Sequence, residues 1–385
     1  MNSLSENPDL AGGRLTVDLG ALADNWQLLN QLSGSSECSA VVKADAYGIG
    51  IEQAVPTLWK AGCRTFFVAL PDEGIRVRKA APDAIIYVLA GYLPRTLETY
   101  KDYALRPVIN DEINSWVEAS GKDSLPYAIQ LETGMNRLGM PISKFEALQE
   151  TELLAPHQPD LVISHLACAD TPDHPLNEKQ RAEFQRTVDR YACKNTSLAN
   201  SAGIFLGPDY HNDLVRPGIA LYGGAAAGGH LQNNPMRPVI CVEARILQVK
   251  SILPGASVGY GGVETIRPSD RPGGKERILA TLSAGYSDGY LRSAGSSDKQ
   301  SGAFAAWRGV RVPLIGRVSM DLVTVDVTDH PDIDQLMGDN WQDEWIELIG
   351  PTVPLDEVAC SAGTIGYELL TSLGTRYHRT YINDL

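Results

Sequence analysis

Lys43 stands in A-V-V-K-A-D-A-Y-G, an ammonium placed directly after three apolar residues. Two chemistries suit such a lysine. One is a snorkelling side chain at a strand end, its stem buried and its head in water. The other is an amine whose pKa burial lowers, so that it forms a Schiff base with an aldehyde. Its neighbours in the pattern decide between them. Arg137 follows an apolar run in E-T-G-M-N-R-L-G, and Arg216 ends one in D-L-V-R-P-G-I-A-L-Y-G. Arg216 lies inside an apolar segment, where a persistent charge needs a bound partner. His165 ends a further run in S-H-L-A-C-A-D, and a single histidine there more often packs in a core than acts. Gly218 and Ile219 open a short helix after Arg216, where free N–H groups and the positive helix end favour an anion. Ser201 and the hydroxyl of Tyr47 are placed to reach the same anion.

These residues work together only if the fold collects them. Apolar runs recur at residues 40–43, 65–69, 85–89, 105–109, 127–131, 161–165, 196–199 and 214–216, and helical spacing fills 53–61, 73–79, 113–120, 144–154 and 178–192 between them. Alternation of this kind is the pattern of βα units and a parallel sheet. Eight units in about 200 to 250 residues is the size of a (β/α)8 barrel, whose strands deliver their C-terminal residues to one mouth. The reading is an α/β chain: an N-terminal tail over 1–13, a TIM-type barrel over 14–235 and a mainly β C-terminal domain over 236–385. An Ala/Gly stretch at 225–229, then Pro235 and Pro238, marks the boundary. Beyond it 239–249, 310–315, 322–327 and 345–349 read as strands, and 267–277 and 293–301 as solvated loops. A lysine, an anion cup and two arginines at one barrel mouth describe pyridoxal phosphate more economically than a free phosphorylated substrate.

Composition removes other classes. With 47 acidic and 33 basic residues among 385, the formal charge of −14 is the wrong sign for gripping nucleic acid. No apolar run approaches the roughly 20 residues that cross a bilayer, and the N-terminus has neither a basic nor an apolar export region. A cytoplasmic protein is expected. The six cysteines, Cys38, Cys63, Cys168, Cys193, Cys241 and Cys360, are scattered without a C-x-x-C pair, so reduced thiols are expected and no metal site.

The motifs are more specific than their chemistry alone. A-V-V-K-A-D-A-Y-G, E-T-G-M-N-R-L-G, S-H-L-A-C-A-D, L-A-N-S-A-G, V-R-P-G-I-A-L-Y-G, V-G-Y-G, A-G-Y-S-D-G-Y, G-R-V-S-M-D and T-I-G-Y-E occur in that order and together resemble the alanine racemase family from end to end. The resemblance implies a fold-type III pyridoxal-phosphate isomerase, a barrel plus a β-domain, working as a head-to-tail homodimer with shared active sites. It interconverts L- and D-alanine and supplies D-alanine for cell-wall peptidoglycan. By position Lys43 resembles the cofactor lysine, which also serves as base for the D-enantiomer. Tyr260, in V-G-Y-G, resembles the opposed base for the L-enantiomer, contributed by the other protomer. A phenol acting as a base needs a cation or hydrogen bonds beside it, and the resemblance supplies them through His165 and Arg216. Arg216 would also face the ring nitrogen of the cofactor, leave it unprotonated and so restrain transamination.

Tyr47, Ser201, Gly218, Ile219 and Tyr367 match the phosphate binders, and Arg137 with the Met320 N–H matches the groups that meet the substrate carboxylate. Tyr286, Arg317 and Ile365 align with the narrow entrance, together with Tyr367, which implies a small side chain on the substrate. Two positions depart from the family pattern. Where many members carry a carbon-dioxide-modified lysine, this chain has Gln130, and Glu132 stands where aspartate is common. Arg137 must then be oriented by an amide, by Glu132 or by an anion. The rivals are a broader racemase acting on serine, a decarboxylase of the same fold type and a quiet cofactor-binding protein. The last is usually a barrel alone, without counterparts of Tyr260 and Met320.

Overall fold

The computed structural model describes residues 7–120, 125–151, 154, 158–226, 234–270, 275–338 and 341–384. Parts of four expected segments lie outside the described residues: 1–6 of the tail, 152–153 of the helix, 227–229 of the Ala/Gly stretch and 271–274 of the first loop. The chain divides into two compact units, Gly20–Arg237 and a second made from Met1–Leu19 with Pro238–Asp384.

The first unit is the barrel. Seven parallel strands run in one sheet in chain order: Ala40–Val41, Thr65–Val68, Ile85–Val88, Arg106–Ile109, Ala128–Glu132, Leu161–Ile163 and Thr196–Ser197. The eighth, Leu214–Val215, pairs with Glu37–Cys38, which leads into the first strand, while a parallel bridge joins Asn200 to Arg216. Those bonds carry the sheet round on itself. Thr65–Val68 is buried at all four positions and Ala128–Glu132 at the first four of five, as strands covered on both faces must be. Helices such as Ile51–Ala61, Pro71–Ala80, Ile113–Ser120 and Pro175–Arg190 make the crossovers. Among the described residues no helix is long and apolar enough to cross a membrane.

The second unit is mainly β. Its longest strand, Ile240–Ile252, is antiparallel to Trp345–Ile349, to Gly13–Asp18 and, after a register shift at Ile246/Gln248, to Arg277–Leu282. Arg277–Leu282 pairs on with Val323–Asp326, and His378–Ile382 lies parallel to Gly13–Asp18. The expected strand at 345–349 coincides with the observed one.

Three details differ from the sequence reading. Gly13–Asp18 does not open the barrel unit; it is a central strand of the β sheet, and the divisions fall after Leu19 and after Arg237. The cause is visible in its alternating burial, the mark of a strand covered differently on its two faces. The strand at 40–43 stops at Val41, so Lys43 does not end a strand but begins a turn. The expected loop at 293–301 contains a short 3-10 turn, Arg292–Ala294, and a bridge between Ser297 and Gln300.

Candidate active site

Immediately after the first barrel strand the backbone turns the wrong way. Ala44, Asp45, Ala46 and Tyr47 have φ of 52, 56, 52 and 53°, and Gly48 follows at 86°. Left-handed conformations cost L-residues about 1–2 kcal/mol each, so a run of four non-glycine residues persists only where neighbours over-determine it. Those neighbours come from the next βα unit. Glu73, buried near the start of helix Pro71–Ala80, accepts the Ala44 N–H on one carboxylate oxygen at 2.6 Å. Its other oxygen accepts the Ala69 and Leu70 N–H groups at 2.8 and 3.1 Å. Arg76, three residues on, bonds both Asp45 and Glu52, and Asp45 also accepts the Ile51 N–H at 3.2 Å.

Lys43 is thereby set at the mouth. Burial lowers its pKa, the Arg137 charge lowers it further and the Glu73 carboxylate opposes both. His165 lies two residues past strand Leu161–Ile163. Burial first, then the charges of Arg216, Arg137 and Lys43, pushes its pKa down to about 3, so the ring is neutral at physiological pH. Its carbonyl accepts a 2.9 Å bond from Gln180, whose own amide oxygen accepts the Ala167 N–H at the same distance. Gln180 also donates to Thr133, which is bonded to Ser164.

Arg216 is 4% exposed, and burial lowers its pKa to about 9. Its guanidinium donates to Ser197 Oγ, to the Ser164 carbonyl and, at 3.3 Å, to the Leu198 carbonyl. All three acceptors are neutral. A buried cation normally takes an anionic partner, and here the described residues give it none.

Close by, Ser201 Oγ accepts the Gly218 N–H at 2.7 Å and the Ala220 N–H at 3.4 Å, while the Ile219 N–H has no partner among the described residues. A Cβ on Gly218 would lie 2.4 Å from the Tyr47 hydroxyl. Tyr47 in turn stacks on Tyr222, with ring centroids 4.5 Å apart. The Ile219 N–H, two hydroxyls and a glycine that the Tyr47 hydroxyl approaches closely make a cluster of the polarity that suits a phosphate. The donor set therefore fits a phosphorylated aldehyde: an amine of lowered pKa, a cup of N–H and O–H groups, and a cation lacking an acid.

Arg137 is exposed, beyond the fifth strand. Neither residue named for orienting it does so directly: Gln130 donates its amide to the Leu138 carbonyl at 2.8 Å, and Glu132 accepts the Gly134 and Asn136 N–H groups. Both fix the backbone around Arg137 and, among the described residues, neither takes the guanidinium as a donor.

The remaining expected residues belong to the β unit. Tyr260 begins a tight turn, Tyr260–Gly262, at the tip of the hairpin Ser257–Val258/Glu264–Thr265, and it is 68% exposed. Gly259 at φ 71° and Gly261 at φ 79° allow that turn to lie against Arg317. The Met320 carbonyl accepts both the N–H and the hydroxyl of Ser287, whereas its own N–H makes no bond among the described residues. Tyr286 precedes Ser287 and donates its N–H to the Ser319 carbonyl, so Tyr286 and Met320 lie on adjoining loops. Ile365 and Tyr367 flank the start of helix Gly366–Ser372. Tyr260, Tyr286, Met320, Ile365 and Tyr367 are all exposed. Glu73, Arg76 and Gln180 are absent from the sequence reading. Glu73 had a signal, a glutamate at the third position of a helix that opens with proline.

Comparison with known proteins agrees with this architecture. Residues 17–226 match the alanine racemase N-terminal domain model and residues 239–381 the alanine racemase C-terminal domain model. The alanine racemase of Rhizobium meliloti strain 1021 is 47% identical over 382 residues, covering 97% of each chain. The biosynthetic alanine racemase of Agrobacterium fabrum strain C58 is 46% identical over 379 residues, covering 96% of this chain and 93% of that one. Among solved structures, alanine racemase from Bartonella henselae with covalently bound pyridoxal phosphate superposes with a TM-score of 0.86 at 37% identity, over 97% of this chain and all of that one. A barrel unit followed by a mainly β unit, with these relatives, first defines the class, a two-domain isomerase built on a parallel barrel. Within that class the chain belongs to the alanine racemase family.

Proposed function

We propose that this enzyme interconverts L- and D-alanine with pyridoxal phosphate, as a homodimer with shared active sites, in the cytoplasm, where it supplies D-alanine for peptidoglycan. Pyridoxal phosphate, when bound, supplies an aldehyde for amines and a ring that spreads the charge left at a deprotonated Cα. Lys43 carries the cofactor and, once free, moves the Cα proton on one face of the substrate; its lowered pKa keeps more of the amine neutral. Tyr260 of the partner subunit moves the proton on the other face. Tyr47, Ser201, Gly218, Ile219 and Tyr367 hold the phosphate. Neutral His165 and charged Arg216 order the phenol and the ring, and Arg137 with the Met320 N–H holds the substrate carboxylate. Tyr286, Arg317 and Ile365 narrow the entrance to small side chains.

The observation that carries this reading is the mouth of the barrel, where Lys43, Arg137 and Arg216 gather around a neutral histidine and the described residues give buried Arg216 no acid. Such a field stabilises a phosphorylated anion and a carboxylate together. The exposed aromatic and apolar residues of the β unit at Tyr260, Tyr286, Met320, Ile365 and Tyr367 support a second protomer covering the segments that carry them. The test is isotope exchange. Holoenzyme incubated with L-alanine and, separately, L-serine in deuterated water should incorporate deuterium at Cα with loss of optical rotation, faster for alanine. Y260F should fold, bind cofactor and lose most racemisation; full activity in Y260F refutes the two-base assignment.

A further inference from the structure

The left-handed turn after Lys43 is the most improbable piece of backbone in the barrel unit, and it begins one residue beyond the amine. We propose that Glu73 is a positioning residue for Lys43: its carboxylate ties the amide that follows the lysine to the start of the neighbouring helix and so fixes the direction in which the lysine projects from the turn. This rests on the reading of Lys43 as the cofactor lysine.

The geometry divides the labour between two oxygens. One takes the Ala44 N–H at 2.6 Å; the other takes the Ala69 and Leu70 N–H groups, which precede helix Pro71–Ala80. Only a carboxylate serves both sides, since an amide offers a single acceptor oxygen. Arg76, one helical turn further on and facing the same way, grips Asp45 and Glu52. Successive residues of the turn, Ala44 and Asp45, are thus held from one helix. The Asp45 carbonyl meanwhile accepts the N–H groups of Gly48 and Gly50, closing the turn on itself. Tyr47, at the other end of the turn, is the residue whose hydroxyl faces Gly218. A clamp on Ala44 therefore sets the amine and the edge of the phosphate cup in one geometry.

Glu73 also acts through its charge. Burial and then Arg137 lower the pKa of Lys43, neutral His165 nearby adds no charge, and the Glu73 carboxylate works in the opposite direction. Removing the charge should lower the pKa of Lys43 further, while removing the clamp should loosen Ala44.

The experiment compares wild type, E73Q, R76Q and the surface control E178Q. The cofactor-free protein gives amide hydrogen exchange at Ala44 and the pH dependence of Lys43 acylation, and the cofactor-loaded enzyme gives kcat and KM for alanine. In E73Q the expectation is Ala44 exchange faster by tenfold or more, a Lys43 titration moved to lower pH, and kcat down about tenfold with KM within about threefold. R76Q, which leaves the carboxylate in place, should speed exchange through the turn without moving the Lys43 titration, and it keeps the test open should E73Q fail to fold. Ala44 exchange unchanged in E73Q, or unchanged through the turn in R76Q, overturns the inference even if activity falls. A wild-type enzyme that racemises nothing defeats the functional reading instead, and the exchange data still judge the clamp.

Discussion

Substituting Gly218 by alanine tests the phosphate cup by a single methyl group. The added Cβ would lie 2.4 Å from the Tyr47 hydroxyl and 3.1 Å from its Cζ. The hydroxyl contact is about 1 Å inside a normal separation, so something must move. Tyr47 has little freedom: its backbone is left-handed, its ring is buried and stacked 4.5 Å from Tyr222, and the Tyr222 hydroxyl is tied to the Val41 carbonyl at 2.9 Å. Overpacking at such a site costs about 1–3 kcal/mol, which lowers the Tm of a unit this size by roughly 3–10 °C. The Y47F background removes the clashing oxygen and leaves Cζ as the nearest atom, so the same methyl should cost under about 1 kcal/mol. Thermal melts of the cofactor-free wild type, G218A, Y47F and the double variant complete a cycle with an expected coupling of about 1–2 kcal/mol. Titration with pyridoxal phosphate should show affinity weakened about tenfold or more in G218A, the equivalent of about 1.4 kcal/mol. Equal cost of G218A in both backgrounds refutes the assignment of Tyr47 and Gly218 to one cup.

Two further predictions concern the charges. His165 has a folded pKa of about 3 against an ordinary value near 6.5. Between those values the unfolded chain takes a proton that the fold refuses, so stability is full above pH 6.5 and falls as pH drops toward 3. The slope is at most about 1.4 kcal/mol per pH unit. Urea melts should then show wild type losing about 2 kcal/mol more than H165Q between pH 7 and pH 5; parallel losses contradict the depressed pKa. Arg216 is a buried cation bonded only to neutral acceptors in the described residues, so R216M should lower the Tm of the cofactor-free protein by no more than about 3 °C. The same variant should lose most of the Tm gain that pyridoxal phosphate gives the wild type. A large fall in the cofactor-free Tm would show that Arg216 is structural.

The barrel was legible because its strands are short, mostly apolar and regularly spaced, and because Lys43 and Arg216 stand directly after apolar residues. What was not legible depended on partners distant in sequence. Gly13–Asp18 alternates polar and apolar side chains, a signature of a sheet with two unlike faces, but its partners begin more than 220 residues later at Ile240 and more than 360 later at His378. Proximity in sequence assigned it to the barrel, and pairing assigns it to the β unit. The left-handed turn was hidden for another reason. K-A-D-A-Y contains no glycine, and alanine favours the right-handed helix. Local propensity therefore points away from the observed backbone, and only contacts with Glu73 and Arg76 reverse it.

The same preference for backbone partners left open what orients Arg137 and hid the part played by Glu73. Reasoning from side chains looks for groups that touch the reacting charges, so it asked what pairs with the Arg137 guanidinium. The structure spends Gln130 on the Leu138 carbonyl, Glu132 on the Gly134 and Asn136 amides, and Glu73 on Ala44, Ala69 and Leu70. Gln130, Glu132 and Glu73 are each committed to backbone beside a cation, the first two around Arg137 and the third next to Lys43. The division follows from electrostatics. A carboxylate bonded directly to Lys43, Arg137 or Arg216 would neutralise the field that an anionic cofactor and substrate need, whereas the same group bonded to neighbouring N–H groups holds the cation in place and leaves more of its charge available.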